Sequence, residues 1–173
     1  MSFIKSVLID GEKIHIFNSA LYLFESYSGC TLNLDVIVSE VALKKYHNKE
    51  SLIVEIELKD GRVISSFMFL KTVPGGLPQL NLFCELDDPD EYSDLLRVHE
   101  NDSEFPRIEE GITLEDIRKV EMPNEKVTVK LTLPINQVEW LKSQKARELN
   151  KIVNEMIERY WNEQDRKKES ETK

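Results

Sequence analysis

Apolar and polar residues alternate along several short stretches of this chain, then switch to three- and four-residue spacing near its end. Alternation puts successive side chains on opposite faces of a strand, whereas the longer spacing lines one face of a helix. Leu32, Leu34, Val36 and Val38 alternate with Asn33, Asp35, Ile37 and Ser39, and Leu52, Val54, Ile56 and Leu58 repeat the pattern. Residues 6–9 and 13–17 flank Asp10-Gly11, a hairpin signal because both residue types tolerate the positive φ that a tight turn needs. Asp60-Gly61 turns the chain again into an apolar run at 63–71, and a proline- and glycine-rich connection at 74–78 leads into 79–84. Residues 20–27 fit a strand or a short helix equally, and 41–46 fit a helical turn. Five or six strands over residues 1–86 predict an antiparallel β-domain, a barrel or a sandwich.

The pattern fades between residues 85 and 121, where 14 acidic residues stand against 4 basic ones. Such sequence repels itself and offers little to bury, so residues 87–123 are expected to form a mobile acidic connection. Within it, Thr113 and Asp116 have the spacing of a capping box, which predicts a short helix over 114–120 before Pro123. Asp87, Asp88, Asp90, Glu91 and Asp94 are close enough in sequence to gather around a hard cation. They lack the alternate ligand positions, the glycine and the closing glutamate of a calcium loop, so the reading is a solvated or partner-facing strip and no metal site. It could also fold over a basic tail or imitate a nucleic-acid backbone.

Clean alternation returns at 126–133. Val127, Val129, Leu131 and Leu133 point one way, and Lys126, Thr128, Lys130 and Thr132 the other. Pro134 cannot donate to a ladder and has φ preset for a first helical turn, so it closes this strand and opens a helix. Val138, Leu141, Leu149, Ile152, Val153, Met156, Ile157 and Tyr160 then recur at helical spacing. The stripe lapses between Leu141 and Leu149. Either one helix runs over about 135–166, or two helices meet in the lapse, with Asn150 as the N-cap of the second.

The strand ending in Leu133-Pro134, the Val138-Glu-Trp-Leu141 turn and the run from Asn150 to Trp161 together resemble the ribbon-helix-helix DNA-binding family. The resemblance covers the last third of the chain. It implies that two chains pair their strands into an antiparallel ribbon that enters the major groove of duplex DNA. Thr128, Lys130 and Thr132 would then read base edges with Lys126 near the backbone, and Asn150 and Lys151 would hold phosphate at the start of the second helix. The inward valines and leucines would share a core with Val138, Leu141, Ile152, Val153 and Met156 of both protomers. Two features depart from the family pattern: the span from Pro134 to Asn150 is shorter and has no glycine, and only one of the three reading positions is basic.

Charge sharpens the division. The chain carries 23 basic and 32 acidic residues, a net −9. Residues 1–123 hold 12 basic and 23 acidic residues, and residues 124–173 hold 11 and 9. An acidic body with a slightly basic tail fits DNA contact by the tail alone, and its net charge disfavours anionic membranes. No run of about 18 apolar residues occurs and the first residues read straight into a strand, so a cytoplasmic protein is expected. Cys30 and Cys84 lie among apolar neighbours and are expected as free thiols. His15, His47 and His99 stand apart from any nucleophile, the Pro74-Gly-Gly sequence is too short for a phosphate loop, and neither an enzyme nor a cofactor is expected.

The architecture expected is α+β: an N-terminal antiparallel β-domain at 1–86, an acidic connection at 87–123, and a strand with one or two helices at 124–173. The leading function is a non-enzymatic, homodimeric DNA-binding protein of the repressor type. The alternative is an adaptor whose C-terminal helix, or acidic segment, docks a protein partner or oligomerises.

Overall fold

The computed structural model describes residues 4–71 and 76–171, with side chains to residue 168. The expected connection at 74–78 therefore falls partly outside the described residues, as do residues 1–3 ahead of the first strand.

Eight strands form one sheet: β1 (Ile4–Ile9), β2 (Glu12–Ile14), β3 (Asn18–Ser26), β4 (Gly29–Ile37), β5 (Ser51–Leu58), β6 (Val63–Lys71), β7 (Gln79–Leu86) and β8 (Leu96–His99). Their spatial order is β2-β1-β5-β6-β7-β4-β3-β8. The α+β class is as expected, but the sheet is not closed into a barrel, and the described residues hold no second sheet to make a sandwich. It is also mixed, because β8 runs parallel to β3 with Tyr22 opposite Leu96 and Phe24 opposite Val98. The ambiguous stretch at 20–27 is strand. Its register with β4, from Asn18 opposite Ile37 to Ser26 opposite Gly29, puts Leu21 and Leu23 beside Leu34 and Leu32 in the core.

The hairpin between β1 and β2 turns at Asp10 (φ 50°) and Gly11 (φ 82°), the positive pair that suits the right-handed twist of the flanking strands. One face of the sheet carries the core. Val7 and Ile9 of β1, Leu23 of β3, Leu32 and Leu34 of β4, Val54 and Ile56 of β5, Met68 of β6, and Leu80 and Leu82 of β7 all lie in one buried cluster. Helix α1 (Glu40–Tyr46) adds Tyr46 to it. That helix starts at Ser39, whose hydroxyl accepts the Ala42 N–H at 3.0 Å, as an N-cap should.

The acidic segment is not a hinge. Residues 87–123 hold a 3-10 turn at Pro89–Tyr92, strand β8 and helix α2 (Leu114–Val120), and they belong with the strands to one compact unit, Met1–Glu125. Leu95 enters the main core, Val98 is buried, and Ile108 and Ile117 pack with Ile37 in a second cluster. Two of the carboxylates that look self-repelling in sequence have cationic partners: Asp94 binds Arg62, and Asp90 binds Arg97, which also pairs with Glu25 of β3. Asn18 adds a tether, its Nδ2 donating to the Ile108 carbonyl at 2.8 Å. Counting charge overlooks four well-spaced apolar residues, and burial of each contributes about 1.5–3 kcal/mol. The expected helix at 114–120 is present with its capping box, the Thr113 and Asp116 side chains each bonding the other's backbone N–H.

A second compact unit comprises Lys126–Lys173. The strand expected at 126–133 is absent: these residues join no ladder and lie in no regular element. The physical reason is that a strand exists only when its backbone groups are paired, and no other described segment pairs with this one. Two helices follow, α3 (Ile135–Ser143) and α4 (Ala146–Glu171).

Candidate nucleic-acid interface

Pro134 (φ −54°, ψ 145°) precedes α3, and its carbonyl accepts the Gln137 and Val138 N–H groups at 3.0 and 3.1 Å. The helix ends because Gln144 turns extended (φ −84°, ψ 148°), with its N–H on the Leu141 carbonyl. The Ser143 hydroxyl donates to the Trp140 carbonyl at 2.6 Å and accepts from Gln144 Nε2 at 3.0 Å. These side-chain bonds offer the last turn an alternative to continuing the helix. Helix α4 begins at once, its Leu149 N–H on the Lys145 carbonyl at 3.1 Å. Of the two sequence alternatives, the two-helix one holds.

The break does not lie at the N-cap that the sequence suggests. Asn150 and Lys151 are inside α4, beyond the Leu149 to Lys145 bond, so neither is at the helix start. The free amides and the positive end of the helix dipole belong instead to residues 146–148, beside Lys145 and Arg147. Intrinsic cap preference favours Asn150, yet the Ser143-Gln144 pair ends the preceding helix earlier. A polar pair at the base of the lapse is the available signal.

Lys126, Thr128, Lys130 and Thr132 are all exposed, as are Asn150 and Lys151. Lys126, Lys130, Lys142, Lys145, Arg147 and Lys151 make no ion pair among the described residues. In the β-domain, Lys5, Lys45, Lys49, Arg62, Arg97, Arg107, Arg118 and Lys119 each have a carboxylate partner, whereas Lys13, Lys44, Lys59 and Lys71 make no ion pair among the described residues. Unpaired cations can exchange their counterions for phosphates without first breaking a protein contact.

The apolar residues of this unit are as uncovered as its charges. Val127 is 81% exposed, Val129 67% and Leu131 70%, and Met156, Ile157, Tyr160 and Trp161 are also exposed. Leu133, Val138, Leu141, Leu149 and Ile152 are half-covered, and no described residue of the unit is fully buried. So the residues expected in a shared core are a half-covered set plus Val127, Val129, Leu131, Val153 and Met156, which still face solvent.

Elsewhere the polar chemistry is engaged. Asp35, half-buried on β4, accepts Asn81 Nδ2 at 2.7 Å and the Tyr22 hydroxyl at 3.1 Å. Burial holds its carboxyl above the usual range against the lowering effect of those two donors, and burial with the Asp35 charge keeps Tyr22 protonated well above a normal phenol. Both cysteines are free thiols, and burial raises that of Cys30. Among the described residues no three metal-ligating side chains converge, and no helix is long and apolar enough to cross a membrane.

No protein-family model, curated protein or solved structure matches this chain.

Proposed function

We propose that the chain is a non-enzymatic DNA-binding protein of the repressor type, acting in the cytoplasm as a homodimer with Lys126–Lys173 as its DNA module. The observation that carries this reading is an unpaired segment with an alternating Val/Leu row, followed by two helices broken at Gln144, in a unit with no fully buried described residue. Pairing 126–133 with the same residues of a second copy would cover Val127, Val129 and Leu131 twice over. Six such side chains at about 1.5–3 kcal/mol each are of the order needed to offset an association cost of about 4–15 kcal/mol. The opposite row, Lys126, Thr128, Lys130 and Thr132, would then face the major groove. Unpaired Lys142, Lys145, Arg147 and Lys151 supply phosphate contacts on the same unit.

The test is binding of the full chain to a labelled duplex pool at about 50 mM salt and upward. The expected result is an affinity that falls linearly with log salt, with a slope of at least about −2. A chain that binds no duplex at the low-salt end sinks the proposal. The adaptor reading then takes over, favoured by the exposed Met156, Ile157, Tyr160 and Trp161 on the later turns of α4.

A further inference from the structure

Most of β6 is paired on one side only. Its ladder with β5 runs from Val63 to Phe69, whereas β7 meets it only at Phe69, Leu70 and Lys71. Two bonds set the phase: the Arg62 carbonyl accepts the Leu58 N–H at 2.8 Å, and the Leu70 N–H donates to the Glu50 carbonyl at 3.2 Å. Pairs along an antiparallel ladder alternate between bonded and non-bonded, so even-numbered residues of β6 bond β5 and odd-numbered residues point their backbone groups the other way. Val63, Ser65 and Phe67 therefore direct N–H and C=O groups toward the side from which β7 has diverged. The Ser66 hydroxyl reaches the Phe67 carbonyl at 3.3 Å; the three residues have no ladder partner there among the described residues.

The side chains around this opening are apolar and exposed. Val63 is 62%, Phe67 67% and Phe69 51% exposed, and the Phe69 ring lies 5.8 Å from that of Phe83 on β7. Exposed aromatics beside unpaired backbone form a surface that proteins normally cover or blunt. Glu55, opposite Ser65, and Glu85, on the diverged part of β7, have no ion pair or side-chain hydrogen bond among the described residues.

We propose that the open flank of β6 at Val63, Ser65 and Phe67 accepts an extended, basic segment of a partner protein as an added strand. The backbone bonds hold the segment; its Lys or Arg row lies over the sheet face that carries Phe67, Phe69, Phe83, Glu55 and Glu85, the stems covering the rings and the charged heads meeting the carboxylates, while the alternate apolar side chains turn to the opposite face. A second copy of this flank is a poor occupant, because it would bring the same carboxylates together on a domain where residues 1–123 carry 23 acids against 12 bases.

The probe is a capped synthetic octapeptide alternating lysine or threonine with valine, titrated into the isotope-labelled full chain and followed by amide chemical shifts. Shifts are expected at Val63, Ser65, Phe67 and Glu85, with about tenfold weaker binding for a peptide of the same composition in scrambled order and for one with glutamate in place of lysine. Ser65→Pro removes an N–H that β5 does not use, so the fold should persist while the shifts vanish. Glu85→Lys should weaken the lysine peptide and improve the glutamate one. Shifts confined to 126–133, equal binding of the scrambled peptide, or Ser65→Pro binding like wild type in a folded chain would each overturn the assignment. Concentration-dependent shifts at Val63 to Phe67 without peptide would overturn it in favour of self-pairing. None of these readouts uses DNA, so the outcome is independent of the proposed DNA module.

Discussion

Arg118 of α2 donates from Nε and Nη2 to the two carboxylate oxygens of Glu40 of α1, at 2.7 and 2.8 Å. This bidentate pair ties the end of the acidic segment to the sheet domain, and beside it Ile117 is fully buried against Ile37 and Ile108. Magnitudes decide which contact matters more. Ile117→Ala leaves a cavity under α2 and should cost about 2–5 kcal/mol. Arg118→Ala should cost distinctly less, because the pair is open to solvent and screened by salt. Denaturant titration of the two variants checks the order, and a larger loss for Arg118→Ala would show that charge, not burial, docks the helix.

The same pair predicts an acid dependence. The Arg118 hydrogen bonds hold the Glu40 carboxyl below its ordinary value. A depressed folded-state pKa contributes stability that is present above the unfolded value of about 4.3 and is lost as pH falls through the folded one. Glu40→Gln should therefore cost stability at neutral pH and converge on wild type once the pH has fallen through the lowered folded-state value. Parallel thermal melts from neutral to acid pH are the measurement.

Asp35 works in the opposite sense. Burial raises its folded-state pKa despite the Asn81 and Tyr22 bonds, so the folded chain loses stability as pH rises from about 3.9 through that raised value. Asp35→Asn removes this loss, and the Tyr22 hydroxyl can rotate to accept from the new amide. The variant's stability profile should be flatter across that interval. An unchanged profile would mean that Asp35 is ionised in the folded state as readily as in the unfolded one.

Limited trypsin digestion should cut first after Lys126 and Lys130, where residues 121–134 form no regular element and Val127 and Val129 are exposed. The product expected is a folded fragment ending near residue 126. Arg97 lies in a paired strand and Arg107 adjoins the anchored Ile108, so both should resist longer. Earlier cleavage at either would restore the picture of a mobile acidic connection.

Under the proposed function, Val129→Lys places a charge in the shared strand face and should reduce the solution mass to that of a monomer. Lys130→Ala should keep the dimer and weaken binding to a selected duplex by about 1–3 kcal/mol. Lys145→Ala, at the observed start of α4, should weaken all duplexes alike and lower the salt slope by about two, one phosphate contact for each protomer. A monomeric wild type at high micromolar concentration rejects the shared face.

What the sequence determined by itself is local. Alternation at 32–38 and 52–58, the Asp10-Gly11 turn and the Thr113 to Asp116 capping box all rest on neighbouring residues, and each corresponds to an observed element. The change in composition near residue 124 lies beside the end of the first compact unit at Glu125. Tertiary structure alone decided whatever needs a distant partner. β1 pairs with β5 and β8 lies parallel to β3, choices that depend on which edges meet. The acidic stretch is ordered because Leu95, Val98, Ile108 and Ile117 find cavities made by residues far away in sequence. For the candidate interface, local pattern picked out the polar row at 126–132. The helix start moved from Asn150 to Ala146 because side-chain bonds at Ser143 and Gln144 ended α3. Alternation at 126–133 marks a face to be covered, but no ladder forms there within one chain, since a strand requires both a pattern and a partner.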